Sequence, residues 1–269
     1  MSNKERLDAL VCDRGLVSGR EAAKRLIMAG DVIVNGRVVD KPGTQIDAEA
    51  QITLKETLPY VSRGGLKLKK ALDTFGVLVS GMAALDIGAS TGGFTDCLLQ
   101  EGAERVYSVD VGYGQLAEKL RRDDRVTVIE RKNARYLQFE DIGQKVDLVT
   151  ADVSFISLDK IFVPASALLK DGGRIIALIK PQFEAGRKFV GKNGVVKDPK
   201  IHETVINNVL GYAGHSGLYL KNLTYSPIKG PKGNIEFLGL FDLDEAGFDL
   251  TKIHRVVEEA HNELSGGSL

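Results

Sequence analysis

From residue 66 onward the sequence alternates short apolar runs with segments of helical periodicity, and this alternation restricts the fold more than any other feature. Strands are predicted at residues 83–87, 105–109, 126–129, 146–150, 174–179, 218–225 and 234–241. Helices are predicted at 66–75, at 94–100 and between most later strands. Such alternation predicts an α/β fold with a doubly wound, mostly parallel sheet. Because a loop joins the last two strands, we expect one antiparallel strand before a closing amphipathic helix at 250–264.

The first 58 residues carry a different pattern, with short helices predicted at 6–13 and 19–28. Ser18 and Glu21 have the spacing of a capping box at the second helix. The run 32–39 predicts a hairpin, because its central Asn-Gly pair tolerates the positive φ angles of a type I′ turn. A last strand is predicted at 51–54. We therefore expect a small α+β domain over 1–58, a linker over 59–65 that is interrupted by proline and glycine, and the α/β domain over 66–269.

The first domain resembles the S4 RNA-binding domain at positions spread along its length. They are Arg6-Leu7-Asp8, Gly15-Leu16-Val17-Ser18, Arg20-Glu21-Ala22, Ile27, Gly30, Val32, Val34-Asn35-Gly36 and Pro42. The resemblance implies an RNA-facing helix and hairpin, and the candidate RNA-binding residues are Arg6, Arg20, Lys24, Arg25, Arg37 and Arg63. Side chains of this kind bind backbone phosphates without reading sequence. The alternative is that they are ordinary surface charges.

The composition restricts the cellular compartment that we expect, but it does not identify a binding partner. Thirty-six basic residues balance 36 acidic ones, although acids are scarce in the basic segments 61–71, 186–200 and 221–233. These segments favour a local electropositive face, with solvated loops as the alternative. No run approaches the roughly 20 apolar residues of a membrane helix, and the two cysteines lie far apart in different segments. We therefore expect a cytoplasmic protein without a structural disulfide.

A glycine-rich turn follows the first α/β strand and opens a helix, which is the context of a nucleoside-binding site. Its residues are Asp86, Ile87, Gly88, Ala89, Ser90, Thr91, Gly92 and Gly93. The turn lacks the Gly-Lys-Ser/Thr of a P-loop, and its glycine spacing differs from the dinucleotide fingerprint, which disfavours an NAD dehydrogenase. Asp110 ends the next strand, where it could accept hydrogen bonds from ribose hydroxyls.

This turn and its trailing acid resemble the S-adenosylmethionine site of class I methyltransferases, whose fold is Rossmann-like. The resemblance implies that Asp86 and Gly88 line the methionine end of the cofactor, that Asn133-Ala134 meet the adenine and that Asp152 also belongs to the cofactor-binding residues. For Asn133 an ordinary turn asparagine remains an alternative.

Four charged residues far apart in sequence are expected to meet at one edge of the sheet. Asp152 and Lys180 each follow a predicted parallel strand, and ligands bind at the carboxyl ends of such strands. Glu236 starts a strand that reaches the same edge if it is antiparallel, and Lys67 starts the helix before the first strand. In a group-transfer site beside a cofactor, Lys180 could accept a proton from the nucleophile or stabilise its negative charge, while the two acids orient the lysines. No metal is required, and the four histidines lack ligand spacing; His254 and His261, on the closing helix, are expected at the surface.

This set resembles the Lys-Asp-Lys-Glu tetrad of FtsJ-type ribose 2′-O-methyltransferases, and together with the S4-like module the whole chain resembles the TlyA family. The resemblance implies S-adenosylmethionine-dependent 2′-O-methylation of cytidine in 16S or 23S ribosomal RNA, or both, with ribosomal RNA or subunits as partners. Proteins of this family are often labelled haemolysins, yet the sequence has neither spanning helices nor the long alternating strands of a pore. A ribosome-binding protein that holds S-adenosylmethionine without turnover is the other alternative.

Overall fold

The computed structural model describes residues 4–17, 19–54, 59–245 and 247–265. The chain divides into two compact units, Met1–Leu58 and Pro59–Leu269. Ser18, the expected capping residue, lies outside the described residues.

The first unit combines two helices with two small antiparallel sheets. Its elements are β1 (Lys4–Arg6), α1 (Leu7–Asp13), α2 (Arg20–Met28), β2 (Val32–Val34), β3 (Arg37–Val38), β4 (Gln45–Asp47) and β5 (Ile52–Leu54). One sheet pairs β1 with β4, and the other has the order β3-β2-β5. The apolar faces of α1 and α2, which include Leu7 and Ile27, pack against Val32 of β2 and Ile52 of β5 in one core.

The hairpin prediction is confirmed, because Asn35 and Gly36 join β2 to β3 with φ angles of 48° and 78°. The prediction that the first helix begins at Arg6 was wrong. Arg6 has an extended backbone and pairs with Gln45 in the β1–β4 sheet. That pairing joins segments almost 40 residues apart, which local periodicity does not reveal.

The second unit follows the predicted alternation closely. Its helices are α3 (Gly64–Phe75), α4 (Gly93–Gln100), α5 (Glu118–Arg121), α6 (Phe139–Ile142), α7 (Asp159–Ala167), α8 (Pro181–Glu184), α9 (Pro199–His215) and α10 (Lys252–Ser265). Its strands are β6 (Ala83–Ile87), β7 (Arg105–Val109), β8 (Val126–Ile129), β9 (Val146–Ala151), β10 (Leu169–Ile179), β11 (Tyr219–Tyr225) and β12 (Phe237–Asp242). Helix α3 begins two residues earlier than predicted, inside the expected linker.

These seven strands form one sheet with the order β11-β12-β10-β9-β6-β7-β8. Strands β10, β9, β6, β7 and β8 are parallel, and β12 runs antiparallel to both of its neighbours. The predicted fold class, a mostly parallel α/β sheet with one antiparallel strand, is therefore confirmed. Since β12 runs the other way, its first residues lie at the edge where the parallel strands end.

Both faces of the sheet are covered, as the continuous apolar composition of its strands requires. Alternate residues of β6, such as Ala84 and Leu85, belong to two separate cores. Helices α3 and α4 contribute to one core, and α7, α9 and α10 contribute to the other. Among the helices of the described residues, none has both the length and the apolar character to span a membrane.

Candidate active site

The glycine-rich turn lies between β6 and α4 and is fixed by contacts that only glycine permits. Gly88 has a φ of 85°, and a Cβ there would approach the carbonyl oxygen of Asp152 to 2.5 Å. The Ser90 amide donates to Asp110 Oδ2 over 2.8 Å, while Asp110 Oδ1 accepts from the Gly112 amide at 2.7 Å. The Asp110 carboxylate therefore connects the turn to the end of β7.

A cavity of about 540 Å³ opens beside this turn, and we call it the cofactor cavity. Six of the residues that the sequence assigns to cofactor binding line it, namely Gly88, Ser90, Asp110, Asn133, Ala134 and Asp152. The Asn133 side-chain oxygen accepts from the Arg135 amide at 3.1 Å and so caps the turn that follows. The side-chain nitrogen of Asn133 is therefore the atom that can donate a hydrogen bond to a ligand.

A second cavity of about 540 Å³ adjoins the first, and we call it the lysine–acid cavity. Ala89, Thr91 and Gly93 from the glycine-rich turn line it. Gly88, Ser90, Asp152 and Ser154 line both cavities. The two cavities therefore share one wall, and the turn reaches both.

Two residues assigned to the cofactor line neither cavity. Asp86 is fully buried beneath the turn, where its carboxylate accepts hydrogen bonds from Thr95 Oγ1 at 2.7 Å and Thr150 Oγ1 at 3.1 Å. Burial raises the pKa of Asp86 to about 7. Gly92 is buried too, and a Cβ there would collide with Leu120. Both residues contact the protein interior, contrary to the expectation from the motif.

The four charged residues expected to converge form two ion pairs. Lys67 Nζ lies 2.5 Å from Oε2 of Glu236, whose side chain is fully buried just before β12. Lys180 Nζ lies 2.5 Å from Oδ1 of Asp152 and donates to Ser154 Oγ at 2.9 Å. Lys67, Asp152 and Lys180 line the lysine–acid cavity, and Glu236 lies behind Lys67. The structure thus brings all four together.

The Asp152 carboxylate lies on the wall common to the two cavities. Its Oδ1 atom is buried and lies 2.5 Å from the Lys180 ammonium, which is its ion-pair partner. The carboxylate and the lysine are therefore held together where the two cavities meet.

Sequence reasoning missed two residues that shape the cleft. A Cβ at Gly230 would collide with the carboxylate of Glu236, so the Lys67–Glu236 pair requires glycine there. Phe155 lines the cofactor cavity with its side chain 91% exposed and a φ of 62°, and its ring centroid is 5.0 Å from that of Phe183. In the sequence, the indication of a tight turn before Glu236 is the Gly-Pro-Lys-Gly run at residues 230–233.

The residues assigned to RNA binding differ in their surroundings. Arg20, Arg25 and Arg37 are exposed in the first unit. Lys24 pairs with Glu21 at 2.6 Å, and Arg6 pairs with Asp8 at 2.7 Å, so those two cations already have carboxylate partners. Arg63 lies in the second unit, where it is exposed and lines the lysine–acid cavity.

Fold and cleft together define a class I methyltransferase unit that follows a small RNA-binding module. Residues 60–242 match the FtsJ-like methyltransferase family, and residues 5–52 match the S4 domain. The chain therefore belongs to the FtsJ-like methyltransferase family.

Relatives resemble the chain over most of its length. YqxC of Bacillus subtilis (strain 168), a candidate rRNA methyltransferase, is 51% identical over 98% of this chain and 96% of its own. The 16S/23S rRNA (cytidine-2′-O)-methyltransferase TlyA of Mycobacterium tuberculosis (strain CDC 1551 / Oshkosh) is 44% identical over 88% of this chain and 89% of its own. A solved structure of a candidate hemolysin from Streptococcus thermophilus is 48% identical, with a TM-score of 0.77 over 99% of this chain and 98% of that one.

Proposed function

We propose that this protein transfers a methyl group from S-adenosylmethionine to the 2′-hydroxyl of a cytidine ribose in ribosomal RNA. The observation that supports it most is that Lys67, Asp152 and Lys180, three members of the two lysine–carboxylate pairs, line the lysine–acid cavity, and that Asp152 also lines the cofactor cavity. The relative named as a cytidine-2′-O-methyltransferase of 16S and 23S rRNA supports the substrate.

The residues of the cofactor cavity fit S-adenosylmethionine. Gly88 lines the cavity without a side chain, and Asp110 presents a carboxylate to ribose hydroxyls. Asn133 and Ala134 would hold the adenine, and Asp152 would lie at the methionine end, beside Lys180. Bound there, the cofactor would supply a sulfonium methyl group that an oxygen nucleophile can attack in line, with the thioether S-adenosylhomocysteine as the leaving group.

Lys180 and Asp152 would act on the ribose hydroxyl. The Lys180 ammonium stabilises the negative charge that develops on the 2′-oxygen, and the Asp152 carboxylate beside it receives the hydroxyl proton as the new C–O bond forms. Ser154 holds the ammonium through its Oγ atom at 2.9 Å. The fixed geometry of this pair supplies rate through positioning.

Lys67 and Glu236 would hold the ribose in place. Glu236 is buried and receives a second hydrogen bond, from Gln182 Nε2 to Oε1 at 3.3 Å, so its carboxylate is held from two sides. Lys67 is thereby fixed at the cavity wall, where its remaining protons can contact the sugar. Phe155 lines the neighbouring cofactor cavity and is exposed, so a nucleobase of the RNA could stack on its ring.

Arg20, Arg25 and Arg37, exposed on the S4 unit, would bind backbone phosphates and bring the cleft to its ribosomal substrate. Lys24 and Arg6 would join them by exchanging a carboxylate for a phosphate, and Arg63 would contact RNA at the lysine–acid cavity. Ribosomal RNA as substrate implies a cytoplasmic enzyme.

The test is transfer of radiolabelled methyl groups to unmodified 16S and 23S rRNA by the pure protein. Lys180→Met should lower the rate by at least about 100-fold, the scale of a lost donor that stabilises the developing oxyanion, without loss of S-adenosylmethionine affinity by calorimetry. Lys170→Met is the matched control, because Lys170 pairs with Asp147 on the surface. Cofactor binding without transfer would contradict the proposal in favour of a non-catalytic ribosome-binding protein. Liposome leakage caused by the pure protein would instead favour a pore-forming haemolysin.

A further inference from the structure

A third cavity, of about 820 Å³, is lined by the loops before α9 and before β12, and we call it the lysine groove. Its charged and titratable lining consists of Lys192, Lys197, Lys229, Lys232, Asp198 and His261. In the part of the chain that the structure describes, none of the four lysines forms an ion pair. Asp198 is already engaged as the cap of α9, because its side chain accepts from the Lys200 amide. With four lysines and one carboxylate in its lining, the groove presents net positive charge.

Buried polar side chains hold the two walls of the groove together. Asn234 is 2% exposed, and its Oδ1 accepts from the Val196 amide at 3.1 Å. Its Nδ2 donates to the Gly194 carbonyl at 2.9 Å and to the Pro231 carbonyl at 3.1 Å. Buried His202 lies 3.1 Å from the Val196 carbonyl through Nε2. The lysines thus extend from a scaffold that is already fixed, which reduces the entropy lost when an anion binds.

Lys232 occupies an unfavourable backbone position at the turn of this groove. Its φ of 59° and ψ of 11° lie in the left-handed region, where glycine or asparagine is favoured and other residues cost about 1–2 kcal/mol. The Lys232 side chain extends toward Gly194, on the opposite loop. Strained backbone positions of this kind concentrate at functional sites, so a lysine here indicates that its ammonium group takes part in binding.

The lysine groove continues from the lysine–acid cavity. Lys229 lines both, and Gly230 and Pro231 of the same loop line the lysine–acid cavity beside Lys67 and Lys180. An RNA strand that continues from the proposed ribose position past this loop would enter the lysine groove, where its phosphates would face the lysines.

We propose that the lysine groove binds the backbone phosphates of the single-stranded RNA next to the methylated nucleotide. The inference rests on the proposed function, because it places the target ribose in the lysine–acid cavity. Ammonium groups without carboxylate partners attract phosphates in any sequence, so the groove holds the strand in register and leaves base recognition to other contacts.

The test compares two triple variants of the full chain. Lys192→Gln, Lys197→Gln and Lys232→Asn remove charge from the groove, and asparagine tolerates the left-handed backbone at 232. Arg105→Gln, Lys145→Gln and Lys170→Gln remove the same charge near the amino ends of β7, β9 and β10, at the opposite edge of the sheet. Lys229 is left intact because it also lines the lysine–acid cavity. The probe is a labelled single-stranded RNA of about 20 nucleotides, followed by anisotropy at several salt concentrations.

The plot of log affinity against log salt should become shallower by about 2 in the groove variant, because each lost phosphate contact on single-stranded RNA removes about 0.7. At 0.1 M salt this corresponds to about 100-fold weaker binding if affinity at 1 M is unchanged. S-adenosylmethionine affinity should stay at the wild-type value, because none of the three lysines lines the cofactor cavity.

Equal salt slopes in the two triple variants would overturn the groove while leaving methyl transfer by the wild type in place. Failure of the wild type to methylate rRNA would instead overturn the proposed function, a result that the transfer assay reports separately. Weakened binding of free phosphate without any change in RNA affinity would also contradict the groove, since it would identify a small-anion site.

Discussion

Replacing Lys67 by methionine should destabilise the second unit strongly, because it leaves Glu236 buried without its cation. The Glu236 side chain is fully buried, and the ammonium of Lys67, 2.5 Å away, is its ion-pair partner. Gln182 supplies a single long hydrogen bond of 3.3 Å to the other carboxylate oxygen. Removing one partner of a buried pair costs about 3–5 kcal/mol, so the free energy of unfolding should fall by about that amount.

A double variant separates the lost charge pair from lost packing. With Lys67→Met and Glu236→Gln together, no uncompensated charge stays inside, and the free energy of unfolding should return to within about 1–2 kcal/mol of the wild type. Lys69→Met on the same helix is the control. Lys69 pairs with Asp73 and Glu101 at the surface, where such pairs contribute at most about 1 kcal/mol.

Cys97 allows the second unit to be followed alone. Its side chain is fully buried in that unit, whereas Cys12 is partly exposed in the first unit. In a Cys12→Ser background, the reaction of Cys97 with a thiol reagent at increasing urea concentrations reports unfolding of the second unit. A Lys67→Met variant within 1 kcal/mol of wild type, or a double variant no more stable than the single one, would refute this reasoning.

Gly230→Ala should cost about 1–3 kcal/mol in the same thiol assay, because its methyl group collides with Glu236, whereas Gly211→Ala in an open helix position should stabilise by about 0.5–1 kcal/mol. Equal effects of the two would contradict the packing account. Burial raises the pKa of Asp86 to about 7, so the contribution of this group to stability is complete below pH 4 and falls by on the order of 4 kcal/mol as pH rises to 7; Asp86→Asn should remove this dependence in urea titrations. Burial lowers the pKa of His202 to about 4, so its contribution is complete above pH 6.5 and is lost as pH falls toward 4; His202→Gln should flatten that acid-side decline.

The sequence predicts those parts of the fold that depend on local pattern. The strands of the second unit and the Asn35-Gly36 turn are readable because apolar runs and turn residues carry their own signals. Strands β1 and β4 are three residues long and largely polar, and only their pairing with each other makes them strands. Local strand propensity does not indicate which segments of a chain pair with each other.

The convergence of the candidate site is predictable because topology alone places its residues. Lys180 and Asp152 follow adjacent parallel strands, and the antiparallel direction of β12 brings Glu236 to the same edge. The partition into Lys67–Glu236 and Lys180–Asp152 pairs was beyond the sequence, because it depends on side-chain geometry across the cleft. The fully buried position of Asp86 was missed for the same reason.

Another error concerns the closing helix, whose histidines were expected at the surface. His254 is exposed and pairs with Glu203. His261, however, lies with Nε2 at 3.0 Å from Nδ1 of buried His202, so it faces the interior. The amphipathic period of a helix predicts its apolar face, but it does not show which polar side chain at the border finds a buried partner.

Nucleoside mass spectrometry of ribosomal RNA tests the central claim most directly. Ribosomal RNA would be compared from cells that lack the gene and from cells complemented with the wild type or with Lys180→Met. The account predicts a 2′-O-methylcytidine that is absent without the gene, restored by the wild type and not restored by the variant. An unchanged set of ribose methylations in all three, or full restoration by Lys180→Met, would contradict it.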